Sequence, residues 1–263
     1  MTDSNISATA ERLYRAYESR EPTELISEGD KSFGISDAYL IQRELISRFA
    51  SHGTEPRGLK IGGMGYTGGK PGVFHFGALL GSRIFHSGET ADVNNFFRPG
   101  LEAEVAVRLK APLKFPAAQD DIFSSLGELM PAFEIVDSRY LPGNKLPADS
   151  IADNASSGGC FIGSPVPFGE PDDEPISVRV FASGKAADIK FGAITRRQIV
   201  KTLSLLAGMP EARGIELCAG DIIITGAMSS PLLRAAPGIK YDAKFTSLGN
   251  VTAEFIGERS NDA

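Results

Sequence analysis

Two apolar stretches, each interrupted by carboxylates, constrain the fold of this chain more than any other feature. The first runs Pro99-Gly100-Leu101-Glu102-Ala103-Glu104-Val105-Ala106-Val107, and the second Pro131-Ala132-Phe133-Glu134-Ile135-Val136-Asp137-Ser138-Arg139. Both read as β-strands. Strand side chains alternate between faces, so Glu102, Glu104 and Ala106 share one face while Leu101, Ala103, Val105 and Val107 share the other. Like charges on one strand face repel each other unless a cation lies between them. Glu134 stands in an otherwise apolar run, and a buried carboxylate needs a partner. Three carboxylates from two neighbouring strands make an oxygen site for a hard divalent cation such as Mg²⁺ or Mn²⁺. Spacing alone is equally compatible with a solvated strand face and an unrelated salt bridge.

The chain has 263 residues, a length suited to one large domain or one domain with a small N-terminal extension. Its hydrophobic fraction of 42% supports an ordinary core. The net charge of −6, without a Lys/Arg cluster, argues against a nucleic-acid partner. Two cysteines, Cys160 and Cys218, lack metal-type spacing and suggest free thiols in a cytoplasmic protein. The N-terminus does not read as a signal peptide, and no apolar run reaches membrane-spanning length.

Apolar spacing predicts a helix over about Ser7–Ser19. It predicts a second from Ser36, with that serine as N-cap, Ile35 and Leu40 as a hydrophobic staple, and Ile41, Leu45 and Phe49 as the buried stripe. Residues 21–34 read as a polar linker. Gly58–Gly62 reads as a short strand. The cluster Gly62, Gly63, Gly65, Gly68, Gly69 and Gly72 reads as a loop, either a lid beside a site or a plain surface loop. Short strands then dominate, with helices over about Asp120–Leu129 and Thr195–Ala207, the latter carrying a Thr195…Gln198 capping box. Lys240–Ser247 and Asn250–Phe255 read as a hairpin. Many strands with a few helices imply an α+β body.

The Glu-x-Glu strand, the Glu134-Ile-Val-Asp-Ser-Arg strand and the Ile151-Ala152-Asp153-Asn154-Ala155-Ser156-Ser157 segment resemble one known family. It is the 2-keto-4-pentenoate hydratase / 4-oxalocrotonate decarboxylase branch of the fumarylacetoacetase superfamily. Gly58-Leu59-Lys60-Ile61-Gly62, Phe76-Gly77, Gly220-Asp221-Ile222-Ile223-Ile224-Thr225-Gly226 and Phe245-Thr246-Ser247-Leu248-Gly249-Asn250-Val251 agree with it in order and spacing. The resemblance implies the mixed β-sandwich roll of the fumarylacetoacetase C-terminal type over residues 58–263, behind a small helical cap over residues 1–57. It implies that Glu102, Glu104 and Glu134 bind Mg²⁺ or Mn²⁺, and it favours the lid reading of the glycine cluster.

It further implies that Lys60 is a catalytic residue and that Asn154, Ser156 and Ser157 lie where a substrate carboxylate is held. Thr225 ends a strand near the site, where a plain strand-end role is about as well supported. At two places the chain departs from the family. His75 stands before Phe76-Gly77 where relatives commonly carry an acidic residue, so it is a candidate for proton transfer or simply a packed lid histidine. Phe191-Gly192-Ala193-Ile194-Thr195 replaces the usual start of the following helix. His52 and Glu55 form a His-x-x-Glu pair of the kind related C–C hydrolases use to activate water, here in a polar, exposed-looking stretch.

The implied activity is a metal-dependent hydratase acting on a 2-oxo-4-enoic acid (2-hydroxy-2,4-dienoate) of aromatic meta-cleavage catabolism. The alternatives are a 4-oxalocrotonate-type decarboxylase, an acylpyruvate-type C–C hydrolase and a non-catalytic partner subunit. The expected partners are a small-molecule 2-oxo acid, further copies of the chain in a homo-oligomer, and a pathway aldolase or sister subunit.

Overall fold

In the computed structural model, residues 1–63, 66, 67 and 70–258 are described, with the backbone alone at 66, 67, 70 and 71. The largest sheet runs in spatial order His75–Leu80, Pro56–Gly62, Ile222–Ile224, Gly100–Leu109, Leu126–Val136, Ser157–Ile162 and Ile84–His86. A second sheet contains Lys185–Ala186, Ile176–Ala182, Lys240–Phe245, Gly249–Ile256 and Thr90–Asp92 in that order. This is the mixed α+β sandwich that the resemblance implied. The expected hairpin is present, with Lys240–Phe245 antiparallel to Gly249–Ile256.

The central pair of strands explains why the carboxylates can be buried at all. Gly100–Leu109 and Leu126–Val136 pair antiparallel, with Glu102 opposite Glu134 and Glu104 opposite Ala132. Leu101, Ala103, Val105, Val107, Phe133 and Ile135 point into the main core. Phe161 carries that face onto the second sheet, meeting Phe255 edge-to-face with centroids 5.8 Å apart. The opposite face bears the glutamates above a small apolar floor of Ala106, Met130, Ala132, Cys160, Ile162, Ile222 and Ile224. A one-residue slip of either strand would exchange the two faces, so burial of the first face pins the position of the glutamates.

The first helix runs from Asp3 to Ser19, longer at its start than the apolar spacing indicated, because Thr2 caps it by accepting from the Asn5 N–H. The second helix spans Ile35–Ser51 with Gly34, not Ser36, as N-cap, and the Asp37 carboxylate accepts from the Gly34 N–H. Ile35 packs on the core, but Leu40 is exposed, so the expected staple does not form. Ile41, Leu45 and Phe49 are buried as expected and join the same core as the sheets.

The stretch between these helices is not a plain linker. It contains the helical turn Ile26–Gly29, whose Ser27 donates both its N–H and its hydroxyl to the buried Asp149. The helix expected over Asp120–Leu129 stops at Ser125, and Leu126 opens the long strand. Cross-strand pairing along nearly the whole of Gly100–Leu109 outweighs local helical preference there. The capping box at Thr195 and Gln198 is present at the start of Arg196–Ala207. Of the glycine cluster read as a lid, Gly65, Gly68 and Gly69 lie outside the described residues. Among the described residues no helix is long and apolar enough to cross a membrane.

One tight turn brings a second part of the chain over the sheet. Asn154, Ala155 and Ser156 hold φ of 50°, 53° and 55°, a left-handed run that non-glycine residues rarely adopt. Buried Arg139 clamps it, with its guanidinium on the Asp153 carboxylate, the Asp153 carbonyl and the Ser157 carbonyl. The Asn154 amide bridges the backbone N–H and C=O of Ala78. The turn lies directly on Gly77, where an added Cβ would sit 2.5 Å from the Asn154 carbonyl oxygen and 2.9 Å from the Ala155 Cβ. Gly77→Ala should therefore destabilise the protein by about 1–3 kcal/mol in denaturant unfolding, as overpacking of a close backbone contact does. An unchanged unfolding midpoint would show that the turn can lift away freely.

Candidate functional site

The glutamate face, the neighbouring Lys60 strand and the left-handed turn enclose one cavity of about 640 Å³. Lys60 stands on Pro56–Gly62 between buried Leu59 and Ile61, and its register partners are Gly77 and Ile224. Its ammonium lies 2.8 Å from Glu134 Oε1 and donates to the Ala155 carbonyl at 3.2 Å. The contact with Glu134 is a close ion pair. Both side chains are almost wholly buried, where removing one partner of such a pair costs about 3–5 kcal/mol.

Glu104 is fully buried. Its Oε2 accepts from the Gly226 N–H at 2.8 Å, and its Oε1 has no partner. One oxygen from each of Glu102, Glu104 and Glu134 lies within 4.8 Å of the others. Burial, followed by the negative charge of Glu134, pushes the half-buried Glu102 up to about 7, with Lys60 partly opposing. Burial and the charges of Glu134 and Glu102 push Glu104 well above the ordinary carboxylate range. Burial by itself would lower Lys60, but Glu134, Glu104 and Glu102 outweigh it and hold the ammonium protonated.

Three carboxylates thus face a single ammonium, and Glu104 Oε1 has no hydrogen-bond partner among the described residues. A hard divalent cation would supply the missing positive charge and the missing oxygen contacts, so the residues present fit Mg²⁺ or Mn²⁺.

His75 lines the same cavity. Its Nδ1 lies 2.6 Å from the Val73 carbonyl, an oxygen that only accepts, so the proton sits on Nδ1 and Nε2 carries the lone pair, with no hydrogen-bond partner among the described residues. The imidazole lies over Gly62, where an added Cβ would be 2.6 Å from Nε2. Burial and the Lys60 ammonium push its pKa down to about 4, so it is neutral near pH 7.

The other expected residues divide. Ser156 lines the cavity. Both ends of the Asn154 amide are taken by Ala78, and Ser157 starts the buried strand Ser157–Ile162 without lining the cavity. These two shape the turn. Thr225 donates its hydroxyl to the Val105 carbonyl and lines an adjoining chamber of about 480 Å³. That chamber shares Gly192, Ala227 and Met228 with the main cavity. Phe191 and Gly192, where the chain leaves the family pattern, form part of the cavity wall.

His52 and Glu55 are exposed and line neither space. His52 ends its helix with Nδ1 2.8 Å from the Arg48 carbonyl. Lys145, Lys190, Ser229 and Ser230 also line the cavity, and nothing in the sequence pointed to them. Lys145 sits in a Pro-Gly-Asn turn and Lys190 on a two-residue strand, contexts that look like ordinary surface.

Comparison with known proteins places this geometry. No family model matches the chain. It is 28% identical over 258 residues to 2-oxo-hept-4-ene-1,7-dioate hydratase of Escherichia coli, covering 94% of this chain and 96% of that one. It is 29% identical over 267 residues to 2-keto-4-pentenoate hydratase of Paraburkholderia xenovorans (strain LB400), covering 99% and 98%. The solved structure of 4-oxalocrotonate decarboxylase from Pseudomonas putida G7, complexed with magnesium and adipate, superposes with a TM-score of 0.86 at 26% identity, covering 97% and 99%. Fumarylpyruvate hydrolase from Pseudomonas aeruginosa, in complex with Mn²⁺ and pyruvate, shares the fold at a TM-score of 0.56 and 14% identity, covering 77% and 90%. The resemblance to the hydratase and decarboxylase branch therefore holds along nearly the whole chain.

A carboxylic acid must lose its proton to bind a cation, so metal binding here should be linked to pH. With Glu102 at about 7 and Glu104 raised well above the ordinary carboxylate range in the metal-free protein, Mg²⁺ should release protons on binding. Its apparent affinity should rise between about pH 6 and pH 8, read by calorimetry in buffers of different ionisation enthalpy. Glu104→Gln should abolish the binding isotherm and leave the circular dichroism unchanged. Mg²⁺ affinity that is flat across that range, or that survives the substitution, would remove the cation from this site.

Proposed function

We propose that this chain is a metal-dependent hydratase that adds water to a 2-oxo-4-enoic acid, taken up as its 2-hydroxy-2,4-dienoate, in aromatic meta-cleavage catabolism. The observation that carries the reading is one cavity in which Glu102, Glu104 and Glu134 converge with a protonated Lys60 and a neutral His75. The hydratases and the magnesium-bound decarboxylase that the chain resembles over almost its full length support it.

A divalent cation held by Glu102, Glu104 and Glu134 would supply a Lewis acid for the carboxylate and 2-oxo oxygens of the substrate. Lys60 contributes a fixed positive charge. Because the surrounding glutamates raise its pKa, it stabilises developing negative charge on the substrate oxygen and does not abstract a proton. His75 relays a proton: with its pKa held at about 4 it is a weak base that accepts only transiently. Its Nε2 accepts a proton, while the Nδ1–H bond to Val73 fixes the ring plane and the tautomer. Proton movement along the chain then converts the dienol to an enone, and water adds to the distal alkene carbon. Ser156, on the cavity wall, is assigned to hold a substrate carboxylate, and Thr225 and Gly226 shape the adjoining chamber.

Decarboxylation of 4-oxalocrotonate is the second reading. It is favoured by the superposition at a TM-score of 0.86 and would use the same polarised 2-oxo group as electron sink. C–C hydrolysis of acylpyruvates loses its motive, because His52 and Glu55 lie outside the cavity. The complete constellation of Glu102, Glu104, Glu134 and Lys60 argues against a non-catalytic subunit. A cytoplasmic homo-oligomer, associated with a pathway aldolase or a sister subunit, completes the proposal and rests on the resemblance.

The decisive assay offers a 2-hydroxy-2,4-dienoate, 4-oxalocrotonate and an acylpyruvate to the Mg²⁺- or Mn²⁺-loaded protein and identifies each product. Hydration of the dienoate is expected, and CO₂ release, cleavage to pyruvate or silence would each replace the proposal. Lys60→Ala and His75→Ala should each lower kcat/KM by about two orders of magnitude or more. A His75→Ala enzyme with wild-type rate and pH profile would reduce the histidine to packing. A His75→Asp enzyme hydrating well above wild type would mark the native chain as specialised away from hydration.

A further inference from the structure

The cavity holds more positive charge than its inner cluster uses. With a divalent cation bound, three glutamates and Lys60 sum to zero, since −3 is met by +2 and +1. Lys145 and Lys190 line the same cavity. Among the described residues neither has a carboxylate partner. His75 adds no charge near neutral pH. Two uncompensated cations therefore face whatever enters. A 2-oxo acid with one carboxylate neutralises half of that charge, and one with two carboxylates neutralises all of it.

Lys145 is the better placed of the two. Its ammonium donates to Ser156 Oγ at 3.1 Å and to Ser138 Oγ at 3.4 Å. An ammonium has three donors, so one remains without a protein acceptor among the described residues. The hydroxyls orient the head without neutralising it. Ser138 in turn donates to Asp153 Oδ2 at 3.2 Å, within the network through which Arg139 clamps the left-handed turn. The Lys145 pKa is lowered, first by the partial burial of its head in the cavity and also by Arg139 and Lys60, with Asp153 and Asp149 partly opposing. Lys190 is exposed on the rim beside Phe191 and adds to the field without being fixed.

We propose that the site selects 2-oxo acids bearing a second carboxylate, and that Lys145, oriented by Ser156, receives that second carboxylate. The inference rests on the reading of the site as one for 2-oxo acids, and it adds a specificity-determining residue that the sequence does not mark. A charge-assisted contact of this kind, at a partly exposed position, is expected to contribute about tenfold in affinity.

The test measures binding of two unreactive probes with the same carbon chain, 2-oxoadipate and 2-oxohexanoate, to the full chain in Mg²⁺ by calorimetry. The wild type should bind the dicarboxylate about tenfold more tightly, and Lys145→Gln should bring the ratio close to one. Lys145→Arg should keep most of the preference. Equal binding of both probes by the wild type, or an unchanged ratio in Lys145→Gln, would overturn the inference and leave the 2-oxo acid reading standing. Equal weakening of both probes by Lys145→Gln would also overturn it, because the lysine would then serve the carboxylate they share. If neither probe bound the Mg²⁺-loaded protein, the 2-oxo acid reading would fall and the inference with it. Thermal unfolding of each variant checks that the fold is retained.

Discussion

The structure is built around a charge imbalance. Glu102, Glu104 and Glu134 are brought together by strand register, and the only ammonium paired with any of them among the described residues is that of Lys60. Strands could relieve the repulsion by shifting one residue, but that would turn Leu101, Ala103, Val105, Phe133 and Ile135 out of the main core. Hydrophobic burial of those side chains is worth roughly 25 cal/mol per Å² of apolar surface, and it holds the carboxylates in place against their mutual repulsion. The floor beneath them is made of small or compact side chains such as Ala106 and Ala132, which leaves room above for a cation and a substrate.

The opposite wall is held by a different physical device. Three consecutive left-handed residues are locally unfavourable, at about 1–3 kcal/mol each in general. They persist because Arg139, Asp153 and the Asn154 amide over-determine the turn. The result is a carbonyl, that of Ala155, aimed at Lys60 and a hydroxyl, that of Ser156, aimed at Lys145. Gly77 makes this possible by carrying no side chain where the turn crosses the sheet. Backbone strain on one strand connection and side-chain charge on two central strands thus become parts of a single site.

Electrostatics divides the cavity into two zones. The inner zone, with a cation in place, would be neutral, with Lys60 paired to Glu134. The outer zone carries two lysines with no acidic partner among the described residues and a histidine kept neutral by burial and by Lys60. The adjoining chamber meets the main cavity at Gly192, Ala227 and Met228 and mixes apolar side chains with Gln198, Lys201 and Thr225.

The alternation of Glu102 and Glu104 with apolar residues, and the isolation of Glu134 in an apolar run, made the carboxylate face legible in the sequence. Strand periodicity is a local property and each face is read from neighbours two apart. The strand around Lys60 and the C-terminal hairpin were legible in the same local way, and the helix after Thr195 through its capping box. The helix over Asp120–Leu129 was misjudged at its end, because cross-strand pairing with residues far along the chain decides where Leu126 belongs. The ligand set itself depends on register, which sets Glu102 directly opposite Glu134 and brings Lys60 within 2.8 Å of it. Lys145, the engagement of Asn154 with Ala78, the tautomer of His75 and the exclusion of His52 and Glu55 from the cavity follow from contacts between distant segments. No local pattern encodes such contacts, so the residue types of the site were determined by the sequence, and its charge balance and the lining of its cavity by the tertiary structure.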